Sequence, residues 1–280
     1  MRALAGWLAA LPMVGLLCAG FLAPIALVAV LSVMPPRTFA FNADPTAANY
    51  IAALSEGYWV PLAWSLAGAS LTTIICFLLA WPTAKALKAL GGTWGFVAAI
   101  LIALPIFISE SVRLFGLSLF MMPGGGILAG SLRALFEWRI GSIMNTKAAA
   151  LLGLVYIHFP FMLFPTILGL SLVPRDQVEA ARDLGASRWR ILREVELPLA
   201  APGIVIGALL TFVLCLGANA EASILGGRAV VVISQAIEQR FNYAQDWPLG
   251  AALTVLVIAA TAAVIFPILS RVDLDRLIKR

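Results

Sequence analysis

The sequence is poor in charge and in the residues that perform chemistry. Of its 280 residues, 12% are charged and 62% hydrophobic, against roughly 25% and 45–50% in a soluble domain. So little charge excludes a disordered chain, and so much hydrophobicity excludes a water-soluble globule. There is one histidine, His158, and neither an H-E-x-x-H nor a G-x-S-x-G pattern, so hydrolytic metal or nucleophile chemistry lacks its parts. The three cysteines, Cys18, Cys76 and Cys215, sit singly inside apolar runs. They lack the paired spacing of a disulfide framework or zinc site and are expected as buried thiols. None of the four lysines follows a glycine, so no phosphate-binding P-loop is present. The expectation is a non-enzymatic chain with no metal and no cofactor.

What is abundant is apolar length. Runs of about 20 apolar residues predict an all-α membrane protein with six spans, near 11–34, 60–84, 94–112, 148–171, 201–224 and 249–270. The first run is too long for a signal-peptide core and is expected to be a retained span. The whole chain, 1–280, reads as one transmembrane domain, with 60–270 as its core. Six spans put both termini on one side. The loops on that side hold 12 basic residues in 58 positions, among them Arg2, Lys85, Lys88, Arg271, Arg276, Lys279 and Arg280, against 7 in 84 opposite. The positive-inside rule therefore predicts cytoplasmic termini, and the net charge of +5 is a topology signal and not a nucleic-acid one. Tyr58, Trp59, Trp138, Tyr243 and Trp247 stand near the opposite interface as an aromatic belt, and Pro123-Gly124-Gly125-Gly126 predicts a turn in the second outer loop.

One cytoplasmic loop is not a plain connector. Residues 172–200 carry ten charges, five of each sign. Asp176 is placed to cap a short helix with Glu179 as its capping-box partner, and Gly185 to stop it. Ser187 is placed to cap a second helix that Leu197-Pro198 closes, with Pro202 opening the fifth span. By its charge alone such a hairpin fits lipid headgroups as well as a protein partner.

Glu179-Ala180-Ala181, then Gly185, then Leu197-Pro198 resemble the EAA motif of the membrane subunits of binding-protein-dependent ABC importers, with Val195 where isoleucine is usual. Asn49-Tyr50, Leu104-Pro105, Arg113 to Leu117 and Trp247 to Ala252 extend the similarity, over about 45–265, to the B-type permeases of spermidine/putrescine importers. The resemblance implies a type I importer permease fold in a bacterial inner membrane. It also implies two ATP-binding subunits, a second permease subunit that is a different chain, and a periplasmic substrate-binding protein. The EAA helix would be the coupling helix that docks on the ATPase, and a polyamine the cargo. Iron, phosphonate or amino-acid-like solutes are the alternatives within the family, and an ATP-independent secondary transporter is the alternative outside it.

Ionisable residues inside spans are rare and costly, which makes Glu221, Glu110 and His158 candidates for the substrate route. Tyr156 and Trp64 offer aromatic faces for cation–π contact with a polycation, and Asn219 a polar group. Each has a purely structural alternative. Glu110 can pair with Arg113 three residues on, His158 can bond a backbone carbonyl, and Glu221 can sit wet at the interface. The small residues from Gly217 to Ser223 predict close packing or unwinding at the outer end of the fifth span, and Pro105, Pro160, Pro165 and Pro267 predict kinks.

Overall fold

The computed structural model describes residues 11–38, 43–122, 126, 127, 130, 131 and 143–270. The expected turn at Pro123-Gly124-Gly125, the interfacial Trp138 and the terminal cations Arg2, Arg271, Arg276, Lys279 and Arg280 lie outside them. All secondary structure among the described residues is helical. Five helices are long and apolar enough to cross a membrane: α1 (Leu11–Ser32), α3 (Trp59–Leu90), α6 (Lys147–Ser171), α8 (Arg188–Gly217) and α10 (Trp247–Leu269). Between α3 and α6 stand α4 (Gly92–Phe107) and α5 (Glu110–Met121), which pass as one further span bent by 101°. Shorter helices are α2 (Ala48–Ser55), α7 (Arg175–Asp183) and α9 (Ile233–Asn242).

The bend goes beyond the kink expected at Pro105 in a third span over 94–112. Pro105 lies in a 3-10 turn, Leu104–Phe107, and Ile108 and Ser109 are then extended, at ψ 136° each. Glu110 therefore starts a new helix, where a carboxylate meets the positive end of the peptide dipoles.

The chain divides into two compact units, the described parts of Met1–Leu62 with Ile233–Val264, and of Ala63–Val232 with Ile265–Arg280. In the first, Ala53, Ile233, Ala236, Leu249 and Leu253 form the core. Asn49, fully buried, donates through Nδ2 to the carbonyls of Ser32 and Met34, which lie at and just past the C-terminal end of α1. Asp246 caps the start of α10 by accepting from the amide of Leu249 and also accepts from the amide of Arg37. Cys18 is exposed and not buried as expected, because almost none of α1 packs against the rest of the chain.

The second unit is held by helices that approach closely. The buried positions of α3 include Ser65, Ala69, Thr72, Cys76, Ala80 and Ala84, a stripe of small residues three or four apart. Gly203 and Gly207 of α8 lie one turn apart against Pro165, Gly169 and Met162 of α6. A Cβ on Gly169 would stand 2.5 Å from the carbonyl oxygen of Ala200, and one on Gly207 3.0 Å from that of Met162. Backbone thus packs on backbone, as side-chain-poor membrane interfaces permit. Around this contact Cys76, Trp81, Met162, Leu163, Leu170 and Ala200 make the largest core cluster. Pro160, Pro165 and Pro267 sit inside uninterrupted helices; a helical break follows Pro105 alone among the four prolines expected to kink.

Candidate functional site

The loop between α6 and α8 folds as two helices, with two changes from the expectation. Pro174, at ψ 135°, stands at the N-cap, so Asp176 lies inside the first turn of α7 and makes no cap hydrogen bond. Proline suits the boundary because the first helical amides have no internal acceptor to lose. Leu197-Pro198 also does not close the second helix. Leu192–Glu196 forms a π turn, and the helix continues from Arg188 to Gly217. The wider turn just before Pro198 relieves its clash with the preceding carbonyl and absorbs the amide it lacks.

Two expectations for this loop are met. Gly185 takes φ +77° at the end of α7, its amide bonds the Arg182 carbonyl, and Ala186 bonds the Ala181 carbonyl. That is a complete Schellman motif, which requires the left-handed residue glycine adopts most cheaply. The Ser187 hydroxyl accepts from the Arg190 amide at 3.3 Å and caps α8. The hairpin leaves Leu184 88% and Trp189 69% exposed, with Glu179 and Ala180 exposed beside them. Below it, Lys85 of α3 grips Glu196 at 2.9 and 2.7 Å, a pair that sequence alone did not reveal. Leu197 and Pro198 lie within α8, directly after its π turn.

Toward the other end of the unit three elements bring ionisable groups together. Glu221 lies on the short segment after α8, whose helix ends at Gly217 with Ala218 extended at ψ 125°, so this end of the span does unwind where small residues predict it. The Glu221 side chain is 1% exposed, and neither carboxylate oxygen has a hydrogen-bond partner. His158 of α6 places Nδ1 3.7 Å from Glu221 Oε1, too far for a hydrogen bond, while Nδ1–H donates to the Leu154 carbonyl at 2.9 Å. Glu110 and Arg113, from the first turn of α5, lie within electrostatic range of both. Glu110 and Arg113 form no ion pair with each other, and Arg113 Nε and Nη1 are buried without acceptors. Gly153 makes the room, since a Cβ there would meet Glu221 Cγ at 3.4 Å and Leu225 Cδ1 at 2.5 Å. A buried carboxylate left without hydrogen bonds, facing two buried guanidinium nitrogens that also lack acceptors, is expensive, which marks the cluster as more than packing.

The other candidates lie apart from this cluster. Tyr156 is 41% exposed, and two residues along a helix turn it well away from His158. Trp64 lines an apolar cavity of about 230 Å³ with Gly68, Leu151, Cys215 and Ala218, and Lys147 Nζ already sits 3.8 Å over its ring. Asn219 accepts from the Ser223 hydroxyl at 3.1 Å across the unwound turn.

Residues 76–277 match the family of binding-protein-dependent transport system inner membrane components. The chain belongs to this family. It is a multi-pass permease of the inner membrane, the membrane-spanning part of an ABC importer. The permease is 30% identical over 236 residues to the spermidine/putrescine transport system permease protein PotB of Haemophilus influenzae, covering 81% of this chain and 79% of that one. PotB of Escherichia coli K12 is 31% identical over 216 residues, 74% of this chain and 75% of its own. In fold, the permease resembles a chain of a bacterial alginate ABC transporter solved in complex with an alginate pentasaccharide-bound periplasmic protein. The TM-score is 0.74 at 14% identity, over 95% of this chain and 92% of that one.

Proposed function

We propose that this permease conducts a polyamine of the spermidine/putrescine kind, delivered by a periplasmic binding protein and driven by two ATP-binding subunits that dock on the loop carrying α7. The names of its PotB relatives support that cargo. The observation within the chain that carries the reading is Glu221, a buried carboxylate with no hydrogen-bond partner beside His158 and close to Glu110. A polycation passing near Glu221 supplies what the resting protein lacks, a donor for its empty oxygens. Arg113 and His158 hold the position between cargoes.

On this reading the loop carrying α7 and the start of α8, with Glu179, Ala180, Ala181 and Trp189, seats the ATPase, and the termini face the cytoplasm. The second permease subunit is a different chain. The test is uptake of labelled spermidine by cells that depend on this importer. Glu221→Gln, which keeps shape and removes charge, is expected to lower uptake about tenfold or more at unchanged membrane abundance, the scale of one lost charged contact in a low-dielectric site. Unchanged uptake kinetics would remove Glu221 from the route.

A further inference from the structure

Two cavities of about 330 and 580 Å³ lie between the C-terminal end of α3 and the α7–α8 hairpin, and they share Lys85, Arg182 and Glu196 in their walls. The first is also lined by Lys88, Arg175 and Glu179, and the second by Arg188. Five cations thus face two carboxylates, and one of those, Glu196, is already neutralised by Lys85. Arg175, Val178, Glu179 and Arg182 are spaced i, i+3, i+4 and i+7, so one whole face of α7 looks into the first cavity and its basic residues point the same way. Donors remain unused there. The side chains of Arg175, Arg182 and Arg188 make no hydrogen bond or ion pair with another described residue. Lys88 donates once, to the Leu170 carbonyl at 2.9 Å, which leaves two of its three protons.

The depth of the cavities identifies the anion. The walls of the first include Ala89 and Leu170, next to the ends of α3 at Leu90 and of α6 at Ser171, together with apolar Val173. That is where two apolar spans finish and phospholipid headgroups begin. Basic pockets between spans at this level attract anionic headgroups over zwitterionic ones. We propose that this basic cleft is a binding seat for the phosphodiester headgroup of an anionic phospholipid, held chiefly by Lys88, Arg175 and Arg182. The lipid links the end of α3 to α7, so that the membrane itself braces the hairpin from the side opposite to Leu184.

The test is native mass spectrometry and thermal unfolding of the complete purified importer, delipidated and titrated with dioleoyl-phosphatidylglycerol, dioleoyl-phosphatidylcholine or inorganic phosphate. Phosphatidylglycerol is expected to remain bound and raise the unfolding midpoint, and phosphatidylcholine to do neither. Lys88→Gln with Arg175→Gln is expected to weaken phosphatidylglycerol binding about tenfold or more, since each basic group near a headgroup is worth close to a factor of five. Lys88→Arg and the outlying Arg193→Gln should retain it. Assembly with the ATPase and the midpoint without lipid show that the variants are folded. Equal retention of the two lipids, or undiminished binding by the double variant, overturns the proposal. Displacement of the lipid by millimolar inorganic phosphate makes the cleft a soluble-anion site and also overturns it. So does lipid binding seen only after the ATPase is stripped away, which would assign the cleft to that interface.

Discussion

Lys85 Nζ contacts both carboxylate oxygens of Glu196, at 2.9 and 2.7 Å, and Glu196 is 7% exposed while Lys85 remains partly in solvent. The pair pins the end of α3 to α8 at the π turn immediately before Leu197-Pro198. Any displacement of the α7–α8 hairpin is therefore felt by α3 directly.

Removing one partner should hurt more than removing both. Lys85→Met leaves a buried carboxylate without its cation and is expected to cost about 1–3 kcal/mol of stability, the penalty of stranding a charged hydrogen-bonding group. Lys85→Met with Glu196→Gln should recover part of that loss. Thermal unfolding of the purified importer in a double-mutant cycle reads the coupling, and additive losses would show that the pair does nothing.

The α6–α8 contact depends on two glycines meeting. Gly203→Ala forces a Cβ to 2.5 Å from Gly169 Cα and is expected to destabilise by about 1–3 kcal/mol, the usual cost of overpacking. Gly116, with nothing within 4 Å of a built Cβ, serves as the control, where alanine should be neutral or slightly stabilising. Comparing unfolding midpoints of the two variants checks this, and equal midpoints would contradict the close packing.

Gly185 holds the left-handed turn that ends α7. Gly185→Ala should cost about 1 kcal/mol of local strain, whereas Gly185→Pro, whose ring fixes φ near −65°, cannot form the turn at all. Co-purification of the ATPase should fall slightly in the first and be lost in the second, at equal membrane insertion. Glu179→Arg should separate the two activities by leaving insertion intact while abolishing uptake. Full ATPase recovery with Gly185→Pro would show that α7 is not the docking element.

The helical class and five of the six expected spans were readable because about 20 apolar residues in a row admit few other structures. Gly185 and Ser187 were readable because capping is local, set by residues within four positions. The failures were at boundaries where two local signals compete. Asp176 and Pro174 both announce a helix start and the proline took the boundary; Pro198 announces a helix end, but a π turn absorbed it. Glu110 looked like a charge near the end of one continuous span because hydropathy is blind to a 101° bend at Ile108-Ser109. His158 and Glu221 stood out singly as charges in apolar sequence, but their 3.7 Å approach joins positions 63 apart, and no local pattern encodes it. The same holds for Lys85 with Glu196, 111 residues apart.

The most direct test of the central claim is spermidine accumulation by proteoliposomes holding this permease with its partner permease and ATPase, with the binding protein on the outside. The account predicts accumulation that requires enclosed ATP and the binding protein and is abolished by Glu179→Arg. Accumulation that proceeds without ATP, or none for spermidine under conditions where another solute is taken up, would contradict it.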